Sequence, residues 1–119
     1  MADIFTDVGE TLVADYVDGT ASAPTNWYIG WGTGAGTAAK GDTTLFTEVG
    51  TRVAATESQP TADANRFVAT LTSSGANTIT NAGVFDASTS GNMLLKSDFT
   101  GVPLADTETI EFTFTITWS

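Results

Sequence analysis

Near the C-terminus, large apolar side chains fall on every second residue, at Ile110, Phe112, Phe114, Ile116 and Trp118. Glu111, Thr113, Thr115 and Thr117 stand between them. Successive side chains of an extended strand point to opposite faces, so the run predicts a strand with one apolar and one threonine/glutamate face. A helix would scatter the same five side chains around its circumference. The period becomes helical once, near the start. Phe5, Val8, Leu12, Val13, Tyr16 and Val17 form one stripe, which predicts a helix over residues 7–18. Asp7 followed by Glu10 reads as a capping box with Asp7 as the cap, and Gly19 stands where a left-handed residue would end the helix. Gly9, in the first turn, weakens that helix by up to about 1 kcal/mol.

Residues 19–26 form a loop, and Trp27–Trp31 reads as a strand with Trp27, Ile29 and Trp31 on one face. Gly30, Gly32, Gly34 and Gly36 occupy the alternate positions, a pattern that lets another backbone or a large side chain come close. Residues 37–50 read as a loop anchored by Leu45 and Phe46. Short strands follow at 51–58, 65–72 and 78–86, the last interrupted by a bulge at Asn81-Ala82-Gly83. A hairpin loop over 86–92 leads to a partner strand at 93–99, and a turn around Gly101 and Pro103 leads to the closing strand. Roughly six or seven strands with regular turn signals predict a mainly β domain over residues 1–119. The expected architecture is an antiparallel β-sandwich or jelly-roll-like barrel with one short N-terminal helix. Its closing strand is too central for its apolar face to be a binding surface.

Composition removes whole classes of function. The 119 residues hold no cysteine and no histidine. Thiol and zinc–thiolate chemistry are excluded, and the usual general base and transition-metal ligand are missing. Fourteen acidic residues face 4 basic ones, for a net charge of −10. Such a surface repels phosphate backbones and anionic bilayers, so neither nucleic acid nor membrane is an expected partner. No apolar run approaches the roughly 18 residues of a membrane span, and MADIFTDVGE lacks the basic-then-apolar order of a signal peptide. Synthesis in a cytosol is expected. The 23 threonines suit the outer faces of sheets.

Candidate chemistry is sparse. Gly34-x-Gly36-x-x-Ala39 matches a loose dinucleotide pattern, yet no amphipathic helix follows, and Lys40 precedes Gly41 instead of following it. Asp15 with Asp18, and Glu108 with Glu111, are the carboxylate pairs that acid/base work would need, and both read as solvated faces. The only calcium candidates are loop carboxylates near Asp86 or Asp98, with no Asp-x-Asp-x-Asp-Gly loop. The expectation is a chain with no catalytic residue, no cofactor and no built metal site. Aromatic residues supply the remaining candidates. Tyr28 and Trp31 could form an interface, by stacking on a sugar or anchoring a protein partner. The competing and favoured reading turns Trp27 and Trp31 into the core beside Ile29 and leaves Tyr28 as the exposed member.

Four segments carry a resemblance. Tyr28-Ile29-Gly30-Trp31-Gly32-Thr33-Gly34, then Asp42-Thr43-Thr44-Leu45-Phe46-Thr47-Glu48 with Arg52, then Ile79-Thr80-Asn81-Ala82-Gly83-Val84-Phe85-Asp86, and the terminal strand together resemble small virion proteins of tailed bacteriophages. The likeness spans about residues 5–118, and its motifs are structural. It implies a β-sandwich virion component on the capsid exterior, made in the host bacterial cytoplasm. The role implied is a non-enzymatic decoration (cement) protein that binds the major capsid protein and stabilises the head, as a homo-oligomer and specifically a trimer. The alternative is a tail-fibre or baseplate module that binds a host surface glycan or another tail protein.

Overall fold

The faces marked out by alternation are buried between two antiparallel sheets in the structure, a computed structural model that describes residues 2–118. The end residues of the expected 1–119 span lie outside the described residues. The elements are β1 (Ala2–Phe5), α1 (Asp7–Asp18), β2 (Tyr28–Gly32), β3 (Glu48–Ala54), β4 (Thr56–Ser58), β5 (Ala64–Thr72), β6 (Asn77–Phe85), β7 (Met93–Leu104) and β8 (Thr109–Thr117). One sheet runs β1-β7-β6-β2-β3 and the other β4-β5-β8. The architecture is the expected β-sandwich with one short helix.

Between the sheets lie Trp27, Ile29, Trp31, Ile79 and Val84 from one side and Phe67, Leu71, Phe112 and Phe114 from the other. Each such side chain contributes about 2–3 kcal/mol on leaving water. The aromatic members interlock edge to face across the gap, Trp31 on Phe112 at 6.1 Å and Trp27 on Phe67 at 5.7 Å between ring centroids. On β8 the predicted sorting holds. Phe112 and Phe114 are buried, Ile110 and Ile116 partly so, and Glu111, Thr113, Thr115 and Thr117 are exposed.

The helix spans the predicted residues but starts differently. Thr6, not Asp7, is the N-cap: its backbone is extended, and its Oγ1 accepts the Gly9 N–H at 2.9 Å while donating to the Met93 carbonyl at 2.6 Å. One hydroxyl therefore both caps α1 and ties it to β7. Gly9 follows from the same approach, because a Cβ there would lie 2.6 Å from the Leu94 carbonyl oxygen. Gly19 ends the helix in the left-handed conformation, with φ of 80°. Leu12 is buried and Tyr16 meets Trp27 edge to face, whereas Val17, at the end of the stripe, is exposed.

Several boundaries move. Residues 2–5 form a strand that no alternation announced, pairing with residues 95–98 of β7. The stretch read as one strand over 51–58 is two strands in different sheets, and the chain crosses at Ala55, whose N–H donates to the Trp27 carbonyl at 2.7 Å. The expected bulge at Asn81-Ala82-Gly83 is on the partner instead. Ile79 pairs with Val102 but Asn81 with Asp98, so the extra residues belong to β7. Gly101 and Pro103 lie inside β7, not at a turn. Proline is tolerated there because β1 reaches only to Asp98 and leaves that half of β7 as an edge. The turn into β8 is at Ala105–Glu108, with Thr107 at a φ of 71°. Among the described residues β8 pairs with β5 alone, so the closing strand is an edge strand.

Candidate interaction surface

Three of the four segments that carry the family resemblance converge on the outer face of the larger sheet, and the terminal strand lies in the smaller one. Residues 33–47 fold back over β2 and β6 as an ordered flap. Its anchor is Phe46, whose backbone N–H donates to Asn81 Oδ1 while its carbonyl accepts from Asn81 Nδ2, both at 3.0 Å. Asn81, fully buried, thus plays the part of a β-partner for one residue. The glycine run makes room for that backbone and ring. A Cβ at Gly34 would come within 2.8 Å of Phe46 Cβ. Thr80 donates its hydroxyl to the Gly34 carbonyl, and Leu45 packs with Phe85 and Met93 in a second small core.

Lys96 holds the flap from below. It is fully buried on β7, and its ammonium donates to Asp42 Oδ2 at 2.9 Å and to the Thr44 carbonyl at 2.8 Å, with the Phe46 ring centroid 3.3 Å away. Burial pushes the Asp42 carboxyl up. The Lys96 ammonium and the Ala39 N–H outweigh this and hold it below the ordinary value. Arg52 does the same work at the other end. Its guanidinium makes two bonds to Glu48, at 2.8 and 3.0 Å, reaches the Ala87 and Ser90 carbonyls of the hairpin loop, and lies 3.5 Å from the Phe85 ring centroid. These residues clamp one loop, one strand and one hairpin into a rigid layer. The signature is a folding device, and Asn81→Leu tests it. Loss of both bonds strands the Phe46 N–H, while its carbonyl keeps only the Gly34 N–H at 3.1 Å. We expect a cost of about 2–3 kcal/mol, read as a lower thermal midpoint and faster amide exchange confined first to residues 33–47.

Of the two candidate interface residues, Trp31 is 3% exposed and turned into the core, and Tyr28 is half-buried on the opposite face of β2. The structure therefore does not bring the two rings to one surface. Among the candidate carboxylates, Glu108, Asp18 and Asp86 serve turns and Asp98 reaches across to the flap. Glu108 accepts the Ala105 N–H at 2.6 Å, and Asp18 accepts the Thr20 N–H and hydroxyl, which hold its carboxyl below the ordinary value. Asp86 accepts from Asn92 at 2.7 Å and Asp98 from Ala38 at 3.2 Å.

What remains for a partner is charge and edges. Lys40 pairs with Glu10, Arg52 with Glu48 and Lys96 with Asp42, so three of the 4 basic residues are neutralised internally. Of 14 carboxylates, 14 − 3 = 11 have no ion-pair partner among the described residues. The unpaired charge offered to a neighbour is almost wholly negative. Sequence reasoning missed the clamp, although one signal was visible: Lys96 is a lone cation in the apolar run Met93-Leu94-Leu95, where it must be paired to be buried.

A model of the family described as Podophage GP4 fiber I protein gp80 matches residues 5–116 of the chain. No curated protein matches it.

Proposed function

Because this chain belongs to the podophage GP4 fiber I protein gp80 family, we propose that it is a non-enzymatic fibre component of a bacteriophage virion, seated on a neighbouring virion protein through its acidic surface. The observation that carries the reading is the family match over residues 5–116, which includes every clamp residue described above. The description names a fibre, and this favours the tail-fibre alternative over the head-decoration role that the resemblance implied. The physical arrangement suits a structural part. The clamped flap and the interlocked aromatic core resist deformation, and the 11 carboxylates without an ion-pair partner among the described residues would steer the chain toward a basic docking face in a salt-dependent way. The major capsid protein as partner and the trimeric state belong to the head-decoration reading. Immunogold labelling of virions with an antibody to this chain separates the two. We expect label at the tail; label spread evenly over the head returns the decoration role, and unlabelled particles remove both.

A further inference from the structure

β8 bonds to β5 along one side only. The Trp118 N–H donates to the Asp63 carbonyl at 2.7 Å and the Ser73 N–H to the Glu108 carbonyl at 2.8 Å. The even-numbered residues of β8 therefore turn their backbone groups toward β5. In an antiparallel ladder the alternate residues point the other way. The N–H and C=O groups of Thr109, Glu111, Thr113, Thr115 and Thr117 line the open edge as a row of donors and acceptors, which another extended backbone satisfies. The devices that usually blunt such an edge are missing. Residues 109–117 hold no lysine and no proline, their register with β5 is unbroken, and Glu111 is their one charge.

We propose that this edge pairs with β8 of a second copy of the chain, antiparallel about a twofold axis at Phe114, so that the two three-stranded sheets become one. Three observations point to a second copy as the occupant. The first is charge. With 11 carboxylates that have no ion-pair partner among the described residues, copies of the chain repel one another overall, whereas the outer side of β8 carries four threonines and a single carboxylate, Glu111. The second is register. Centring on Phe114 sets Thr113 across from Thr115 of the second copy and Glu111 across from its Thr117, so no carboxylates meet, whereas a pairing centred on Glu111 would set like charges face to face. The third is shape. Trp118, at one end of the edge, is 37% exposed. At the other end a cleft of about 440 Å³ opens between β7 and β8, lined by Phe99, Val102, Ile110 and Phe112 together with Glu111 and two threonines. The same register places Trp118 of each copy across from Ile110 of the other, at the mouth of that cleft. The indole is held in place, its N–H donating to Asn65 Oδ1 at 2.9 Å and its ring edge to face with Phe5. Its exposed remainder and a mostly apolar cleft stand at matched ends of one edge and are self-complementary. The proposal does not depend on the fibre reading.

Sedimentation equilibrium of the full chain from micromolar to millimolar concentration tests it. The wild type is expected to reach twice the monomer mass. Thr113→Glu with Thr115→Glu sets glutamates opposite one another twice, on an exposed face that leaves the fold intact, and weakens dimers by about tenfold or more. Thr113→Lys with Thr115→Glu restores them, because each lysine then meets a glutamate of the second copy. A wild type that stays monomeric throughout overturns the proposal, as does a double-glutamate chain that dimerises like the wild type. Should the double-glutamate chain fail to fold, the lysine/glutamate chain decides: dimers as tight as the wild type's support the pairing, and a folded monomer sinks it.

Discussion

Trp31→Ala is expected to destabilise the chain by about 3–5 kcal/mol, the range for deleting a large buried aromatic. For a domain of this size that lowers the thermal midpoint by roughly 4 °C per kcal/mol. Trp31 is 3% exposed, meets Phe112 edge to face at 86°, and sits in the cluster that joins the two sheets. Removing it leaves a hole where both sheets lose contacts, and neither sheet can close over it without moving its strands. Against a total stability of about 5–15 kcal/mol, this puts the chain near unfolding at growth temperature. Tyr28→Ala, on the half-buried outer side of the same strand, is expected to cost markedly less. Thermal melts of both variants by circular dichroism give the comparison. If the Trp31 variant melts with the wild type, the ring is not in the core. A loss of partner binding by Trp31→Ala therefore reports lost fold, and a surface role for aromatics has to be sought through Tyr28 alone.

Asp42→Ala is the second large effect, at about 3–5 kcal/mol, because it leaves the fully buried Lys96 ammonium with a carbonyl and a ring but no counter-charge. Lys96→Met is expected to be much milder. Methionine fills similar volume without a charge, and the Asp42 side chain, 25% exposed, remains in contact with water. The double variant should resemble Lys96→Met. Urea midpoints of the two single variants and the double one form the cycle, and equal costs for the two single variants would contradict the asymmetry. The pair also carries a pH signature. Asp42 titrates below its ordinary value in the folded chain, so its contribution is present above the unfolded carboxylate pKa and is lost as pH falls through the lower folded one. Below about pH 4, the wild type should lose stability more steeply than the double variant. Parallel acid limbs would show that Lys96 and Asp42 are not coupled.

Some of this molecule is legible in its residues alone. Period two over Ile110–Trp118 and the helical stripe over residues 7–18 each reflect which side of one element meets water, a property of neighbours in sequence. The glycines at alternate positions from Gly30 likewise announce a close approach, though not by what. Chain pairing is a different kind of information. Nothing in residues 2–5 tells that they complete a sheet with β7, because four residues cannot display a period and their partner is some ninety positions away. Asp7 made a plausible cap until Thr6 gained a second partner in the Met93 carbonyl. The stretch 51–58 hides a change of sheet at Ala55, since its residues carry no alternation that would mark which face each half presents.

For β8 the division is clearest. Its residues by themselves determine that one face is buried and one is threonine-rich, because burial sorts side chains by parity. Whether its backbone has one neighbour or two is decided by topology, which places it beside β5 and leaves the other side open. The converging signature obeys the same logic. Gly34, Phe46, Arg52, Asn81 and Lys96 carry their chemistry in the sequence. Only the tertiary structure brings them within hydrogen-bonding reach, since it is sheet pairing, acting over separations of tens of residues, that sets which side chains meet.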